Sequence, residues 1–557
     1  MNQDRTSALI ISLVAALALW PAAVMSFGTP AGDARRPAGR KALHARAIEE
    51  SLVPVRPGVP GQTPFWNRYA MQFIHAPAFD FKELPGARSY RFRASAADGK
   101  TYSMTAPKPW APLSPVWKDL PVGRVALKVE GLDEQGRVLG IPGEREFHRA
   151  AIFAGPYGQP AMDYKSSARR ALESLSRKRY LERWLEDGRP DHASNNLFSY
   201  PGIIIGGIVE SMVTYAGMTS GDEADRALKI AKIAADYLIG ISEPAGAPFE
   251  HFLPSYAGGR FDADRQGQLM VPYAAKVGNV YLQLYGATRD AAYLRAAVRI
   301  ADTYVRTRTP EGTWPLMVEA KSGKPLTKNV CLPVETLVLF DRLAYRHNLT
   351  RYRPAREAVL RWLIEHPLKT YNWAGQFEDQ SIAAPEYNNL TEHEAVSFAI
   401  YLFEHRGDDQ RYVKWAEELV RFGEDQFVVW EKPLVRTPPG KSADSDSKTW
   451  FLLPCALEQY HYYVPIDASA AKMVSGFTKA YEATGNALYL AKARSLANSI
   501  TMIQFPDGPN AGLYLNWWAS MYWDEWGDRA FPYYWVNCLM YDVRALLELG
   551  AALEKVR

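Results

Sequence analysis

A chain of 557 residues, 47% hydrophobic and 23% charged, has the composition of a folded protein with room for two or three domains, not of a disordered or fibrous one. Basic and acidic side chains nearly cancel, to a formal charge of +4, and no long basic run appears, which argues against a nucleic-acid partner. Three cysteines, Cys331, Cys455 and Cys538, are too few and too scattered for a disulfide framework or a paired-cysteine zinc site and read as free thiols.

The chain opens on an apolar run from Ala8 to Trp20, followed by Pro21 and small residues as far as Ser26. This pattern predicts an export signal over 1–26 and a periplasmic or secreted protein. The charges offer an alternative: Arg5 is offset by Asp4, whereas Arg35, Arg36, Arg40, Lys41 and Arg46 follow the run, so a retained membrane anchor also fits and would be the only membrane contact. Residues 27–63, rich in Ala, Arg, Pro and Gly, read as a linker.

Over 64–155 the pattern changes to short alternating runs. Ser89 to Ala94 and Thr101 to Met104 flank Asp98-Gly99, a pair that accepts the positive φ angles of a tight hairpin. A further run, Arg124 to Val129, leads to a turn near Gly136, with a Pro-rich stretch from Trp110 to Pro121 in between. The segment resembles a fibronectin-like or immunoglobulin-like β-sandwich, expected to brace the domain that follows, with glycan binding as the alternative.

From Asp163 onward the chain reads as helices linked by a recurring joint: Gly286 to Leu294, Gly407 to Val413 and Thr484 to Leu490. Each is a helix end at Gly or Asn, a short polar turn, and a new helix opening on Tyr293, Tyr412 or Tyr489. A weaker copy ends at Tyr352, so the joint recurs at about sixty residues or more, the length of a helical hairpin with a long return. Twelve helices are predicted, over 163–187, 201–218, 223–240, 270–286, 290–306, 333–349, 352–366, 391–405, 409–426, 466–484, 488–503 and 533–555. Pro201 to Val209 and Glu335 to Phe340 are apolar nearly all round, as inner helices should be, while Arg411 to Gly423 has the two-faced pattern of an outer one. Turns from inner to outer helices are short and the six returns long, so all six returns must emerge at one end, together with the positive N-terminal ends of the inner helices.

On these joints, this helix count and these aromatic connectors, residues 160–557 resemble the six-hairpin glycosidases, the (α/α)6 toroid superfamily that includes glucoamylases, unsaturated glucuronyl hydrolases and several polysaccharide lyases. The expected fold is mainly α, a toroid of twelve helices preceded by a small β-sandwich domain. The resemblance implies a carbohydrate-active enzyme with an oligo- or polysaccharide substrate; it carries over no catalytic residue, because no single family motif is matched.

The candidate residues come from the connectors. Glycoside hydrolysis needs one carboxyl to protonate the leaving oxygen and a second to activate water or attack carbon. Carboxylates stand at Glu250, Glu319, Glu378-Asp379, Glu386, Asp444, Asp446, Asp524-Glu525 and Asp528. Glu378 and Asp379 follow Trp373, and Asp524 and Glu525 sit between Trp523 and Trp526, where desolvation can raise a carboxyl pKa; these two pairs are the catalytic candidates, against the plainer reading of loop salt bridges and helix caps. Glu250, His251, Trp314, Trp373, Tyr387, Asn388, His393, Trp450, Trp517 and Trp518 are the substrate-binding candidates, with aromatic faces stacking on sugar rings or, equally, anchoring long loops. In a lyase or C5-epimerase, Tyr387, Asn388, Asn389 and His393, or Tyr460-His461-Tyr462, would neutralise a uronate and move its C5 proton. The competing reading makes Thr391-Glu392-His393-Glu394 a capping sequence and the asparagines turn formers. A non-catalytic glycan-binding toroid is the third possibility.

Asp444-Ser445-Asp446-Ser447 lacks the Gly and terminal Glu of a calcium loop, Gly440-Lys441-Ser442 lacks the upstream Gly of a phosphate loop, and there is no His-Glu-x-x-His, Gly-x-Ser-x-Gly or dinucleotide fingerprint. No metal and no cofactor is therefore expected.

Overall fold

The computed structural model describes residues 39–55, 69–190, 200–256, 266–377, 387–433, 452–460, 463–518 and 535–556. Among them no helix is long and apolar enough to cross a membrane. The leading apolar run, the pairs Glu378-Asp379 and Asp524-Glu525, and Trp450, Glu386, Asp444, Asp446, Asp528, His461 and Tyr462 lie outside the described residues.

A first helix, α1 (Arg40–Ser51), precedes a five-stranded sheet of β1 (Gln72–Phe73), β2 (Ser89–Ala96), β3 (Thr101–Ala106), β4 (Gly123–Leu132) and β5 (Val138–Arg149), in the order β1-β5-β4-β2-β3. All pairs are antiparallel except β1 with β5. The alternation seen in sequence sets the faces: Tyr90, Phe92, Ala94, Val125, Leu127 and Val129 are buried, while Arg93 and Arg124 face out. The expected sandwich is corrected here to a single sheet, since among the described residues no second sheet faces it. Pro107, Pro109, Pro112, Pro115 and Pro121 lack the N–H that a ladder needs, and this stretch forms loops and the one-turn helix α2 (Ser114–Trp117) instead of a strand. Trp117 from α2 stacks on Phe147 at 6.1 Å and covers the buried face with Phe73 and Phe79.

The expected helix over 163–187 is two helices, α3 (Tyr164–Ser176) and α4 (Arg179–Asp187). Asp163 caps α3 by accepting from Ser166 N, and at its far end the Ser176 hydroxyl bonds back to Glu173 O, a local bond that competes with the helix ladder. Then follow α5 (Pro201–Ala216), α6 (Asp222–Ile241), β6 (Gln268–Met270), α7 (Val271–Thr288), α8 (Ala291–Thr307), β7 (Met317–Glu319), α9 (Val334–Asp341), α10 (Arg353–Glu365), α11 (Pro367–Thr370), α12 (His393–Glu404), α13 (Arg411–Phe427), β8 (Val428–Val429), β9 (Cys455–Ala456), α14 (Asp467–Thr484), α15 (Ala487–Met502) and α16 (Val536–Glu554).

Six of these helices close a ring, α5, α7, α9, α12, α14 and α16 each packing on the next and α16 returning to α5. Outside it stand α6, α8, α10, α13 and α15, each against its own hairpin partner, and α3 against α16. Inner helices are apolar on every side, as buried helices must be: Ile204, Ile205, Ile208 and Val209 of α5 are inaccessible to solvent. The recurring joints set both helix ends and the lateral packing of the outer ring. Gly485 closes α14 at φ 69°, a left-handed conformation that costs glycine little, and Asp290 and Asn486 cap α8 and α15 by accepting from Ala292 N and Leu488 N. Three of the four joint tyrosines donate a hydroxyl to an acid on the preceding outer helix: Tyr293 to Asp236, Tyr352 to Asp302 and Tyr489 to Glu417.

The long connectors join outer to inner helices and therefore share one end of the ring. The second and third are tied to each other by β6 pairing antiparallel with β7, and the fifth folds on itself through β8 and β9. The sheet and α1 dock against α13 and α15. Asp425 accepts Ile74 N at 2.6 Å and His75 N at 2.7 Å, and Lys492 is held between Glu424, at 2.6 Å, and Glu50 of α1. The three cysteines are buried free thiols.

Candidate active site

Inner helices begin at the connector end, and within their first three turns the otherwise apolar pattern is broken. Every one of the six contributes an ionisable side chain to the axis: Glu210 from α5, Lys276 from α7, Glu335 from α9, His393 and Glu394 from α12, Lys472 from α14, and Tyr541 and Arg544 from α16. Arg544 pairs with Glu210 and still keeps 44% of its side chain accessible.

Lys472 Nζ donates to Ser397 Oγ at 2.9 Å and lies 4.6 Å from the centre of the Tyr541 ring. Burial, reinforced by Arg544, pushes this amine down to about 8. Burial also acts on Lys276, but Tyr541, Glu394 and Glu335 outweigh it, and that amine is held firmly charged. Glu394 is raised by burial, with Lys276 and Lys472 pulling the other way. His393 is kept neutral, first by burial and then by the two lysines; its Nε2 stands 3.4 Å from Ser469 Oγ and 3.4 Å from Glu392 Oε1. Glu392 is fully buried, is pushed up to about 8 by that burial, and leaves Oε1 without a hydrogen bond. Deeper in the ring, Asn279 of α7 donates to Glu335 Oε2 at 3.2 Å and accepts from Arg342 at 3.1 Å. Together these groups provide a neutral base, protonatable carboxyls and two amines in one low-dielectric space, a set suited to proton transfer on a polar substrate.

The structure separates the candidates named from sequence. His393 belongs to the axial cluster. Trp314, Trp373 and Trp518 do not stand in a cleft wall: all three are 0% exposed and act as anchors, Trp314 donating to Tyr304 O at 3.2 Å and Trp518 to Leu515 O at 3.1 Å. Trp517 is half-buried. Tyr387 is buried, with φ 64° and its hydroxyl on Thr370 O, a loop fixture instead of a substrate contact; Asn388 beside it is half-buried. Glu250 is a rim salt bridge: it accepts from Gly246 N at 2.8 Å and pairs with Arg306 of outer helix α8 at 3.0 Å, while His251 follows in a left-handed turn. Tyr460 donates to Gln426 in the core. As for the capping sequence, Thr391 Oγ1 accepts from His393 N at 3.4 Å, but Glu392 makes no capping bond. Lys276, Glu335, Lys472, Tyr541 and Arg544 were missed by motif reading. Their signal is a lone polar or charged residue inside an all-round apolar helix, as in Val-Pro-Tyr-Ala-Ala-Lys276-Val-Gly.

Six hairpins closed into a double ring define an (α/α)6 toroid, the fold of the six-hairpin glycosidase-like superfamily. No protein-family model matches the chain, and no curated protein matches it. Among solved structures it is similar to a family 76 glycoside hydrolase from a bovine Bacteroides thetaiotaomicron strain, at 10% identity over 87% of this chain and 96% of that one, with a TM-score of 0.44. It is also similar to cellobiose 2-epimerase from Spirochaeta thermophila, at 13% identity over 70% and 98%, TM-score 0.46. Unsaturated glucuronyl hydrolase from Streptococcus agalactiae matches at 10% identity over 70% and 93%, TM-score 0.44.

Proposed function

We propose that this chain is a carbohydrate-active enzyme that hydrolyses glycosidic bonds in an oligo- or polysaccharide entering the ring at its connector end. The supporting observation is the axial cluster. Packing alone would fill these positions with apolar side chains, as it does at most other buried positions of the inner helices, and buried charges that fold stability does not call for are the usual mark of a working site. Lys276, Lys472, Glu394 and His393 supply donors and acceptors at the density that a sugar's hydroxyls require.

In this reading one of Glu378 and Asp379 and one of Asp524 and Glu525 reach over that floor from the fourth and sixth connectors. The first protonates the glycosidic oxygen as the bond breaks, and the second takes a proton from the water that attacks the anomeric carbon, or the two roles are exchanged. A separation of ~6.5–9.5 Å would admit the water and give inversion, whereas ~5 Å would give retention. The apolar run over residues 8–26 supports a periplasmic or secreted location, with retention by the N-terminal segment as the alternative, and N-terminal sequencing of the mature protein separates the two.

Asp379→Asn, Glu525→Gln and Glu394→Gln, assayed for reducing-end release on a glycan panel, test the assignment. Each is expected to lose hydrolysis by two orders of magnitude or more, on the scale of general acid–base catalysis (~10²–10⁴). Full activity in both the Asp379 and Glu525 variants would remove those two residues, and full activity in Glu378→Gln and Asp524→Asn as well would remove the two pairs from catalysis. A second reading, a lyase or C5-epimerase on uronate polymers, is favoured by one arrangement: neutral His393 lies 5.8 Å, ring to ring, from Tyr541 and close to two amines. The same panel read by ultraviolet absorbance and by uronate composition would register it.

A further inference from the structure

Where the sixth connector returns to the ring, three buried side chains from distant parts of the chain meet. Asp467 opens α14, Asp542 lies in the second turn of α16, and Asn516 lies in the connector; they are 1%, 0% and 1% exposed. Asn516 Nδ2 donates to Asp467 Oδ1 at 2.7 Å, an oxygen that also accepts from Ala468 N at 2.7 Å, and Asp467 N donates to Asn516 O at 2.9 Å. The carboxyl groups of Asp467 and Asp542 lie within hydrogen-bonding reach of each other. Yet both oxygens of Asp542 and Oδ1 of Asn516 have no hydrogen-bond donor. Among the described residues Asp467 is the one charge that acts strongly on Asp542, and no basic side chain offsets the pair.

Two buried carboxylates without a cation are costly, and each orphaned oxygen adds to the cost. A proton shared between Asp467 and Asp542 would relieve one contact only. It would leave the second Asp542 oxygen and the Asn516 carbonyl oxygen unsatisfied. A hard cation uses all three free oxygens at once and matches the charge of both carboxylates. We propose that Asp467, Asp542 and Asn516 hold a calcium ion that fastens the sixth connector to the inner ring. Calcium suits the set better than magnesium, because it accepts irregular all-oxygen coordination and sheds its waters readily, whereas magnesium keeps them. Ligands drawn from three separate segments form no motif, so a linear search for metal signatures passes over them; three His, Cys, Asp or Glu side chains do not converge anywhere among the described residues. The site is also distinct from the axial one: Ser469, two residues further on, turns toward His393, while Asp467 turns toward the connector. The inference therefore does not depend on which sugar chemistry the axis performs.

The test uses the full chain. Purified without chelator, it is expected to carry one calcium per molecule by metal analysis. Chelation should lower the melting midpoint by several degrees, with recovery on adding calcium but not sodium. Asp542→Asn should abolish both the bound metal and the calcium response. If that variant does not fold, terbium luminescence of the unaltered protein, excited through the neighbouring Trp517 and Trp518 and displaced by calcium, reads the site directly. Absence of bound metal together with a melting midpoint indifferent to calcium would overturn the proposal. So would an Asp542→Asn variant that melts like the parent, because an amide donating to Asp467 would then replace a shared proton.

Discussion

Two of the buried groups of charged side chains in this protein are finished differently. Beneath the N-terminal sheet, Lys492 sits between Glu424 and Glu50, Glu424 also takes the Trp430 indole N–H at 3.0 Å, and Asp425 accepts from two backbone amides and from Gln426. In that cluster Lys492, Glu424, Glu50 and Asp425 are each paired and join α1, the sheet and the outer helices, although Gln72 Oε1 and His75 Nε2 beside them have no hydrogen-bond partner. Around the axis, charges of both signs outnumber their mutual hydrogen bonds, Glu392 keeps a bare oxygen, and Arg544 remains accessible. The difference separates burial that holds a fold from burial that waits for a ligand.

The comparison is broken most directly at its two lysines. Lys472→Met is expected to lower kcat/KM by ~10²–10⁴ with little change in melting, because a group poised for substrate contributes to the reaction more than to the fold. A collapse in melting instead would place the axial cluster with the structural one. Lys492→Met should do the reverse and destabilise the protein by ~3–5 kcal/mol, since Glu424 and Glu50 would be left buried and unpaired. Denaturant unfolding followed at Trp430 measures it, and activity per folded molecule should hold.

A third experiment sharpens the contrast through pH. Burial pushes the His148 imidazole down to about 4, helped by Arg149 and opposed by its bond to Pro433 O, and holds His75 low as well. Both are neutral when folded, so the unfolded chain binds the extra proton and stability is lost as pH falls below 6.5, toward about 4 for His148. Asp425, pushed up to about 7 chiefly by burial, works in the other direction: the folded chain holds its proton more tightly, and stability falls as pH rises toward 7. In His148→Gln the acid-side loss should shrink by on the order of 3 kcal/mol, so its melting midpoint should gain on the parent's steadily between pH 6.5 and 4. Parallel midpoints over that range would show that His148 is not held neutral. On activity, charged Lys472 predicts a loss of kcat/KM as pH rises through about 8, displaced upward in Lys472→Arg.

The ring itself was legible, for physical reasons visible in particular residues. Gly485 and Asn486 can only end one helix and cap the next, and a two-residue turn cannot hide a cleft, so the long returns had to share an end. What alternation along β2 and β4 could not supply was the layer covering them: a buried face looks the same under a second sheet as under Trp117 and Phe79. The tryptophans show the same ambiguity. An indole in a long connector has one spelling whether it anchors the loop, as Trp314 does, or presents a face to a sugar. The axial charges were readable but were absorbed into the impression of uniformly apolar helices, because one Lys472 among alanines barely alters a helix's average. Asp467, Asn516 and Asp542 were beyond reach, since only the closed ring brings them together.

The smallest expected effect concerns single hydroxyl bonds between outer helices. Tyr293 and Tyr489 each donate one hydroxyl to an acid on the neighbouring outer helix, Asp236 and Glu417, at 3.1 Å in both cases. The rings are buried and stay so in a Phe variant, which removes only the hydroxyl. Tyr293→Phe should therefore cost about 0.5–1.5 kcal/mol, and more toward 3 if the Asp236 carboxylate cannot recover a water. Changing both tyrosines, which lie in different hairpins and share no partner, should cost the sum. A shortfall from additivity would mean that the outer helices yield together, so that the recurring joint couples hairpins around the ring as well as spacing them.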